Sequence, residues 1–417
     1  ASAQIIESNG SGGGNWNDPL TWQGGIIPTA SNSTQINIRT GDIVNIPSGF
    51  TAVADQLFVR ESATLSVLSG GTLNIVNGSG NDLVLINNGA LFGQLNVSGR
   101  LEFSHGATAV EGGAVPSSNT TATTMKILNG GVYNHGYTTY SGSIIGAEWQ
   151  DGSVLEITSL TSASQIPSNL NQSFFDVVWN CPLQSKQLNL GGNLSEVRGT
   201  FRILSTGSQV LYIFGSQSSV ILNIAGNFEI SGNASVIFST GNSNVISIGG
   251  DFIISTSSST VQLARAGSLT INVLNSMNIT SNTVLAAVSG NLSLNLTGDL
   301  VMSGNFAVQS GGVANLLFNG SSQNLAGSSF SGLFNFTIGS GATLNLGSHF
   351  LVSPGTFTMQ SASTIMVGSS SPGGAIAANT SEGNIRIPVA NRTYNANSRI
   401  VYNNGSVPQF LSSGHPS

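Results

Sequence analysis

The sequence predicts an all-β fold, a right-handed parallel β-helix (β-solenoid) with an aromatic-rich N-terminal cap. Three observations support this prediction. A strand-and-turn phrase recurs about every 24 residues, as in stacked-repeat architectures. The repeated units alternate apolar and polar residues, as half-buried strands do, and show no helical period. Only 7% of the residues are charged, and 53 glycines suit the tight corners between short strands.

Four copies of the repeated phrase carry most of the argument. They occupy residues 222–228, 246–252, 271–277 and 294–300. Each is an alternating strand, a corner rich in Gly, Asn or Asp, and a second apolar segment. Because parallel coils stack equivalent positions on one another, we expect these strands to pair in register. At the corners, Asp251 and Asp299 are predicted to bond backbone N–H groups and not to bind calcium.

The chain is predicted to contain four segments. Residues 1–50 form the N-terminal cap and the first strands, and residues 51–113 form a β-helix with short coils. Residues 114–170 are an irregular insert or loop region on the helix. Residues 171–417 form a β-helix with longer coils, which we expect to continue beyond the end of this chain.

The short coils are inferred from the spacing of apolar residues. Leu65, Leu83 and Leu101 lie 18 residues apart, which predicts a coil of that length. Period-2 alternation between Gly and Asn corners predicts the strands of this segment. These strands are Thr64–Val67, Thr72–Ile75, Leu83–Ile86, Gln94–Val97 and Arg100–Phe103.

Two tryptophans, Trp16 and Trp22, stand out in the N-terminal segment. The open end of a solenoid exposes its core and a strand edge, so it needs a cap. We expect the two rings to plug that end; stacking on a ligand is the alternative interpretation.

Composition argues against several classes of function. The net charge is −6 with no Lys/Arg cluster, so nucleic-acid binding is not expected. No run of 18 apolar residues predicts a membrane span. The only cysteine, Cys181, cannot form a disulfide within the chain and is predicted to be a buried thiol. His105, His349 and His415 are isolated, so neither a metal site nor a cofactor is expected.

Aromatic, acidic and imidazole groups concentrate in one place, residues 133–151. A glycosidase needs two carboxyl groups across a cleft, and sugars can pack on aromatic rings. The catalytic candidates are Glu148, Asp151 and His135. The candidates for ligand binding are Trp149, Tyr133 and Tyr137, with packing of the rings against the coils as the alternative. Carboxylates three residues apart in an extended segment point in different directions, so the primary expectation is that no catalytic site exists here.

Several phrases resemble those of a known group of proteins. They are Gly-Asn-Trp-Asn-Asp-Pro-Leu-Thr-Trp-Gln-Gly-Gly-Ile-Ile-Pro at 14–28, Gly-Ser-Val-Leu-Glu-Ile-Thr at 152–158 and Asn-Gln-Ser-Phe-Phe-Asp-Val-Val-Trp-Asn-Cys-Pro at 171–182. They are similar to large secreted cell-surface repeat proteins of Bacteroidetes. The resemblance implies export by the type IX secretion system and a role in gliding motility or adhesion. It also implies surface polysaccharide, or other cell-surface or secretion-system proteins, as partners.

The sequence thus favours a non-catalytic, extracellular structural or adhesive β-helix, the N-terminal segment of a large cell-surface protein. The opening Ala-Ser-Ala at 1–3 matches the end of a signal-peptide cleavage site, although an Ala/Ser-rich chain also produces such matches by chance. The alternative is a polysaccharide-active enzyme (a lyase or glycosidase) or a carbohydrate-binding module that uses the 133–151 region. Fold class alone does not decide between them, because β-helices host both roles.

Overall fold

The computed structural model describes residues 3–403 except for 79, 87–90, 104–108, 113–120, 258–260, 281–282 and 328. It confirms the predicted fold class. The described chain is almost entirely strand and turn, and its paired strands form parallel ladders that build β-solenoids. The chain divides into two compact units, one of residues 1–186 and 196–199 and one of residues 187–195 and 200–417. Most of the signal-peptide match at 1–3 lies outside the described residues.

In the described part of the first unit, most strands lie in three parallel ladders, which are named sheets 1A, 1B and 1C. Sheet 1A contains Gln4–Glu7, Ser33–Ile38, Leu57–Val59, Leu83–Ile86 and Ala109–Gly112. Sheet 1B contains Gly13–Asn15, Ile43–Ile46, Thr64–Val67, Gln94–Val97, Met125–Ile127 and Glu148–Trp149. Sheet 1C contains Thr51–Ala54, Thr72–Ile75, Arg100–Phe103, Val132–His135, Val154–Ile157 and Asp176–Asn180. The short strand Glu196–Val197 also belongs to this unit, which has two short 3-10 helices, Pro19–Thr21 and Gln23–Gly25.

The predicted strands of residues 64–103 are all present, but the 18-residue coil is wrong. Leu65, Leu83 and Leu101 lie in three different sheets, 1B, 1A and 1C. The ladder pairs Leu65 with Leu95 and Leu101 with Leu73, which are steps of 30 and 28 residues. The misinterpretation has a simple cause. Each coil carries several similar strands, so an apolar spacing can measure the distance between faces instead of one full turn.

The N-terminal tryptophans are buried, as predicted. Trp16 and Trp22 are 0% and 2% exposed, and their rings meet edge to face at 5.0 Å. Both indole N–H groups donate, from Trp16 to the Pro28 carbonyl at 3.2 Å and from Trp22 to the Trp16 carbonyl at 2.8 Å. The segment that holds them follows Gly13–Asn15, the edge strand of sheet 1B. The rings therefore close the core next to a sheet edge and have no open face for a ligand.

In the described part of the second unit, most strands lie in three parallel ladders, which are named sheets 2A, 2B and 2C. Sheet 2A contains Leu188–Asn189, Val210–Gly215, Ser235–Ser239, Val261–Ala264, Thr283–Ala287, Asn305–Val308 and Phe330–Ser331. Sheet 2B contains Ile221–Ile224, Asn244–Ile248, Ser268–Val273, Asn291–Leu296, Val313–Phe318, Phe334–Ile338, Phe357–Met359 and Arg392–Tyr394. Sheet 2C contains Phe201–Ser205, Phe228–Ile230, Phe252–Ile254, Met277–Ile279, Leu300–Met302, Gln323–Ala326, Thr343–Gly347, Thr364–Val367 and Arg399–Tyr402. A separate pair joins Leu351–Val352 to Ile385–Arg386, and Val389–Asn391 is a 3-10 helix.

The register predicted from the four repeated phrases is confirmed. In sheet 2B, Leu222 pairs with Ile246, Ile246 with Ile271, and Ile271 with Leu294. In sheet 2C, the second apolar segments pair in the same way: Phe228 with Phe252, Phe252 with Met277, and Met277 with Leu300. Equivalent side chains therefore form continuous inward rows. Phe228 stacks between Phe201 and Phe252, with ring centroids 5.1 and 5.4 Å apart.

The corners are joined by a second kind of ladder, made of polar side chains. The Asp251 amide donates to Asn227 Oδ1 at 2.9 Å, and the Ser276 amide donates to Asp251 Oδ1 at 3.0 Å. The backbone N–H of Asn324 continues the row by donating to Asp299 Oδ1 at 2.7 Å. As predicted, the corner carboxylates bond backbone N–H groups. The structure adds that each bonded N–H belongs to the next coil.

Substitution of adjacent residues in one strand should test this inward and outward alternation. Phe252 is fully buried, whereas Ile253 is half-buried on the outer side. We expect Phe252→Ala to lower the free energy of unfolding by about 3–5 kcal/mol, because it leaves a cavity in the stacked row. Ile253→Ala should cost roughly 1 kcal/mol or less. Urea unfolding followed by circular dichroism measures both, and equal losses would contradict the assigned register.

Candidate functional site

The aromatic cluster at 133–151 is built by two neighbouring strands of the first unit. Tyr133 and His135 lie two residues apart in sheet 1C, so their side chains point to the same side, and both are fully buried. Tyr133 pairs in register with Leu101 and Leu155, which are core residues. Trp149 ends a short strand of sheet 1B and is 5% exposed. The fold therefore turns these side chains toward the core.

His135 is held at both ring nitrogens. Its Nε2 lies 2.7 Å from the Ser141 carbonyl oxygen, and its Nδ1 lies 3.0 Å from the Tyr133 hydroxyl. A carbonyl can only accept, so Nε2 carries the proton and Nδ1 accepts from Tyr133. Burial lowers the pKa of His135 to about 4, partly offset by the bond to Ser141. At neutral pH the imidazole is therefore uncharged, and both of its nitrogens are occupied.

The aromatic candidates pack on one another and leave no open ring face. Trp149 meets Phe174 edge to face at 4.9 Å and Tyr133 at 6.2 Å, and its indole N–H donates to Gln172 Oε1 at 3.0 Å. Tyr137 stacks on His135 with ring centroids 4.2 Å apart and is 5% exposed. Burial, with a contribution from Asp82, raises the pKa of Tyr137 to about 12. This geometry corresponds to the packing interpretation of these rings.

The two candidate carboxylates lie on the outside and are each bound to a cation. Glu148 forms an ion pair with Lys126 at 3.2 Å, and the Gln150 amide donates to its other oxygen at 3.0 Å. The hydrogen bond from Gln150 and, to a smaller extent, the contact with Lys126 lower the pKa of Glu148. Asp151 forms an ion pair with Arg198, whose guanidinium also donates to the Trp149 carbonyl. The Asp151 side chain is 76% exposed, so it lacks the enclosed, apolar surroundings in which a catalytic acid usually lies.

The structure thus brings together His135, Tyr133, Tyr137 and Trp149, but it does not place them with the carboxylates. The imidazole lies in the core, whereas Glu148 and Asp151 face solvent. The residues that organise the carboxylates, Lys126 and Arg198, were missed in the sequence. Lys126 could have been found by aligning the strands of neighbouring coils, because it lies directly opposite Glu148 in the parallel register. Arg198 lies 47 residues from Asp151 and gave none.

Other chemically active groups are also accounted for. Cys181 is buried, as predicted, its thiol lies 3.4 Å from the Ile157 carbonyl oxygen, and burial raises its pKa to about 12. Such a thiol is not a nucleophile at neutral pH. Within the described residues, no group of three or more His, Cys, Asp and Glu side chains gathers in a way that could hold a metal ion. No helix in that part of the chain is long and apolar enough to span a bilayer.

The depressed pKa of His135 predicts a pH-dependent stability. The unfolded histidine takes up a proton near pH 6.5, but the folded one does so only near pH 4. Between these values the unfolded state binds more protons, so the free energy of unfolding falls as the pH is lowered. Neutral His135 contributes roughly 3 kcal/mol to the free energy of unfolding above pH 6.5, and this contribution is lost by pH 4.

Urea unfolding between pH 7 and pH 4 checks this prediction. The His135→Gln variant should lose less stability over this range than the wild type, by about 2–3 kcal/mol, because its side chain does not titrate. His349→Gln is the matched control, since it removes a half-buried histidine from the second unit. Identical pH dependence in wild type and His135→Gln would show that the buried imidazole is not the group responsible.

Comparison with known proteins places the chain in no established group. No protein-family model matches it, and no curated protein matches it significantly. A β-solenoid fold by itself is compatible with binding, scaffolding and catalysis.

Proposed function

We propose that this chain is a non-catalytic structural and adhesive β-solenoid, displayed outside the cell as part of a larger surface protein. One observation carries the proposal. The side chains best suited to catalysis already bind neighbouring coils. Glu148 and Asp151 are paired with Lys126 and Arg198, and the corner residue Asp251 accepts from the next coil.

The outer faces of the second unit give further support. Rows of amide side chains run from coil to coil, with Asn295 donating to Asn272 at 2.7 Å and Asn335 to Asn315 at 2.9 Å. Such rows join successive coils outside the core as well as within it. They also cover the surface with uncharged donors and acceptors, the groups that bond to sugar hydroxyls. A long-lived extracellular stalk that contacts glycans would use both properties.

The proposed location follows the resemblance to secreted Bacteroidetes surface proteins, seen in the phrases at 14–28, 152–158 and 171–182. Those proteins leave the cell by the type IX system, and some act in gliding or adhesion. We extend that route and that kind of role to this chain as part of the proposal. Surface polysaccharide and other cell-surface or secretion-system proteins are the proposed partners.

The proposal can be tested in cells that produce the protein. We expect protease added to intact cells to cleave it, and a deletion strain to lose surface attachment or spreading several-fold. Complementation with a Glu148→Gln, Asp151→Asn variant should restore attachment as the wild-type gene does, because the two carboxylates have a structural role. The proposal would be contradicted if the protein were released from the cells and its deletion left surface attachment and spreading unchanged. Polysaccharide turnover that is lost in the double variant would favour the enzyme instead.

A further inference from the structure

One coil of the second unit is much longer than its neighbours. In sheet 2C, Thr343 pairs with Thr364, a step of 21 residues, but Thr364 pairs with Arg399, a step of 35. The additional residues lie between 368 and 388, outside the ladders of sheets 2A–2C. Insertions in solenoid repeats form loops on one face, and this is often the face that binds a ligand.

The insertion is folded tightly against the coils. Asn384 is fully buried, and its side-chain amide donates to the carbonyls of Gly347 and His349 at 2.9 and 2.5 Å. Its side-chain oxygen accepts from the Ser369 amide at 2.9 Å. Residues 375–377 are also buried. A side chain on this loop therefore has a fixed position relative to the strands beside it.

A cavity of about 410 Å³ lies where the insertion meets the coils. This volume falls within the roughly 300–1,000 Å³ typical of small-molecule sites. Its walls are largely apolar, and its polar side chains include one charged group, Arg386. Its lining includes Phe330, Val352, Pro354, Pro388, Thr380 and Arg386.

Arg386 is oriented but not neutralised. Its guanidinium lies over the Phe350 ring, 3.5 Å from the centroid, and its Nε donates to the Gly383 carbonyl at 3.1 Å. It forms no ion pair with any described residue, whereas Arg100, Arg198 and Arg202 all do. The acidic residue of the insertion, Glu382, accepts from the Gly373 amide. The terminal N–H groups of Arg386 are therefore available, in the fork geometry that binds a carboxylate with two hydrogen bonds.

A second cavity, of about 260 Å³, adjoins the first. The two share Gly332, and the second extends along residues 308–313. Gly332 has a φ of +95°, and a Cβ there would lie 2.0 Å from the Val308 carbonyl oxygen, so only glycine fits this corner. The two cavities together offer room for successive units of a chain-like ligand.

We propose that these adjoining cavities bind an acidic polysaccharide, with Arg386 pairing the carboxylate of a uronic acid unit. The apolar walls suit the C–H faces of a pyranose ring. At the rim, the Thr380 side chain is exposed and makes no hydrogen bond with the described residues, so it can bond to a sugar hydroxyl. The Arg386 guanidinium, which forms no ion pair with any described residue, supplies the positive charge that an anionic ligand requires. This site rests on the proposed function, since it gives the class of surface polysaccharide that the chain would bind. Binding of oligogalacturonate by the isolated chain and attachment of the deletion strain are separate measurements, so one can fail without the other.

Titration calorimetry of the whole chain with a short oligogalacturonate tests the proposal. We expect saturable binding that weakens about tenfold or more in Arg386→Gln, because a charge-assisted bidentate contact is lost. Arg265→Gln is the matched control, since it removes an exposed arginine of the same unit and changes the net charge equally. It should bind as the wild type does. A neutral galactose oligosaccharide should bind at least tenfold more weakly than the oligogalacturonate.

Two further variants and one competitor complete the test. If Arg386→Gln disturbs the insertion, Arg386→Lys retains the charge and Thr380→Trp blocks the rim at an exposed position. The lysine variant should bind with intermediate affinity, and the tryptophan variant should not bind. A dipeptide with a free C-terminal carboxylate should not compete. Overturning results are no binding of oligogalacturonate by the wild type, unchanged binding in Arg386→Gln, or equal competition by the dipeptide.

Discussion

The whole structure depends on one constraint: each coil can bury its inward side chains only against the coils beside it. Equivalent positions must then lie directly over one another, as Leu222, Ile246, Ile271 and Leu294 do. The same constraint applies to polar groups at the corners, where strands end and backbone N–H groups lose their ladder partners. Asn227 and Asp251 resolve this by accepting from the amide of the next coil. Apolar rows and polar rows are thus two consequences of the same stacking.

This constraint also determines which side chains remain available for chemistry. Glu148 and Asp251 each meet a donor from the adjacent coil, and Asp151 meets Arg198, which lies 47 residues further along the chain. These three carboxylates therefore already form bonds within the solenoid. Arg386 differs because it lies in an insertion, outside the repeating ladders, where no neighbouring coil supplies a carboxylate. In a solenoid of this kind, function is to be sought where the repeat is interrupted.

Much of the fold could be predicted from sequence because local alternation and a regular period both report on strands. The strands at 64–103 and the register at 222–300 were predicted correctly for this reason. The 18-residue coil was wrong because several similar strands per turn make the period ambiguous. The candidate site was harder still. The residues of 133–151 could be recognised as a cluster, but their burial and the pairing of Asp151 with Arg198 depend on contacts between distant segments. The cavity beside Arg386 has the same origin, since it needs the insertion folded against earlier coils.

Hydrogen exchange at the corner ladder measures whether polar side chains join successive coils. The Ser276 amide donates to Asp251 Oδ1, so its exchange reports on a bond between successive coils. We expect slow exchange of this amide in the wild type and in Asp251→Asn, which keeps the acceptor oxygen. In Asp251→Ala the Ser276 amide should exchange markedly faster while the amides of sheet 2B stay protected. Equal exchange of the Ser276 amide in all three proteins would contradict the claim that polar side chains join the coils.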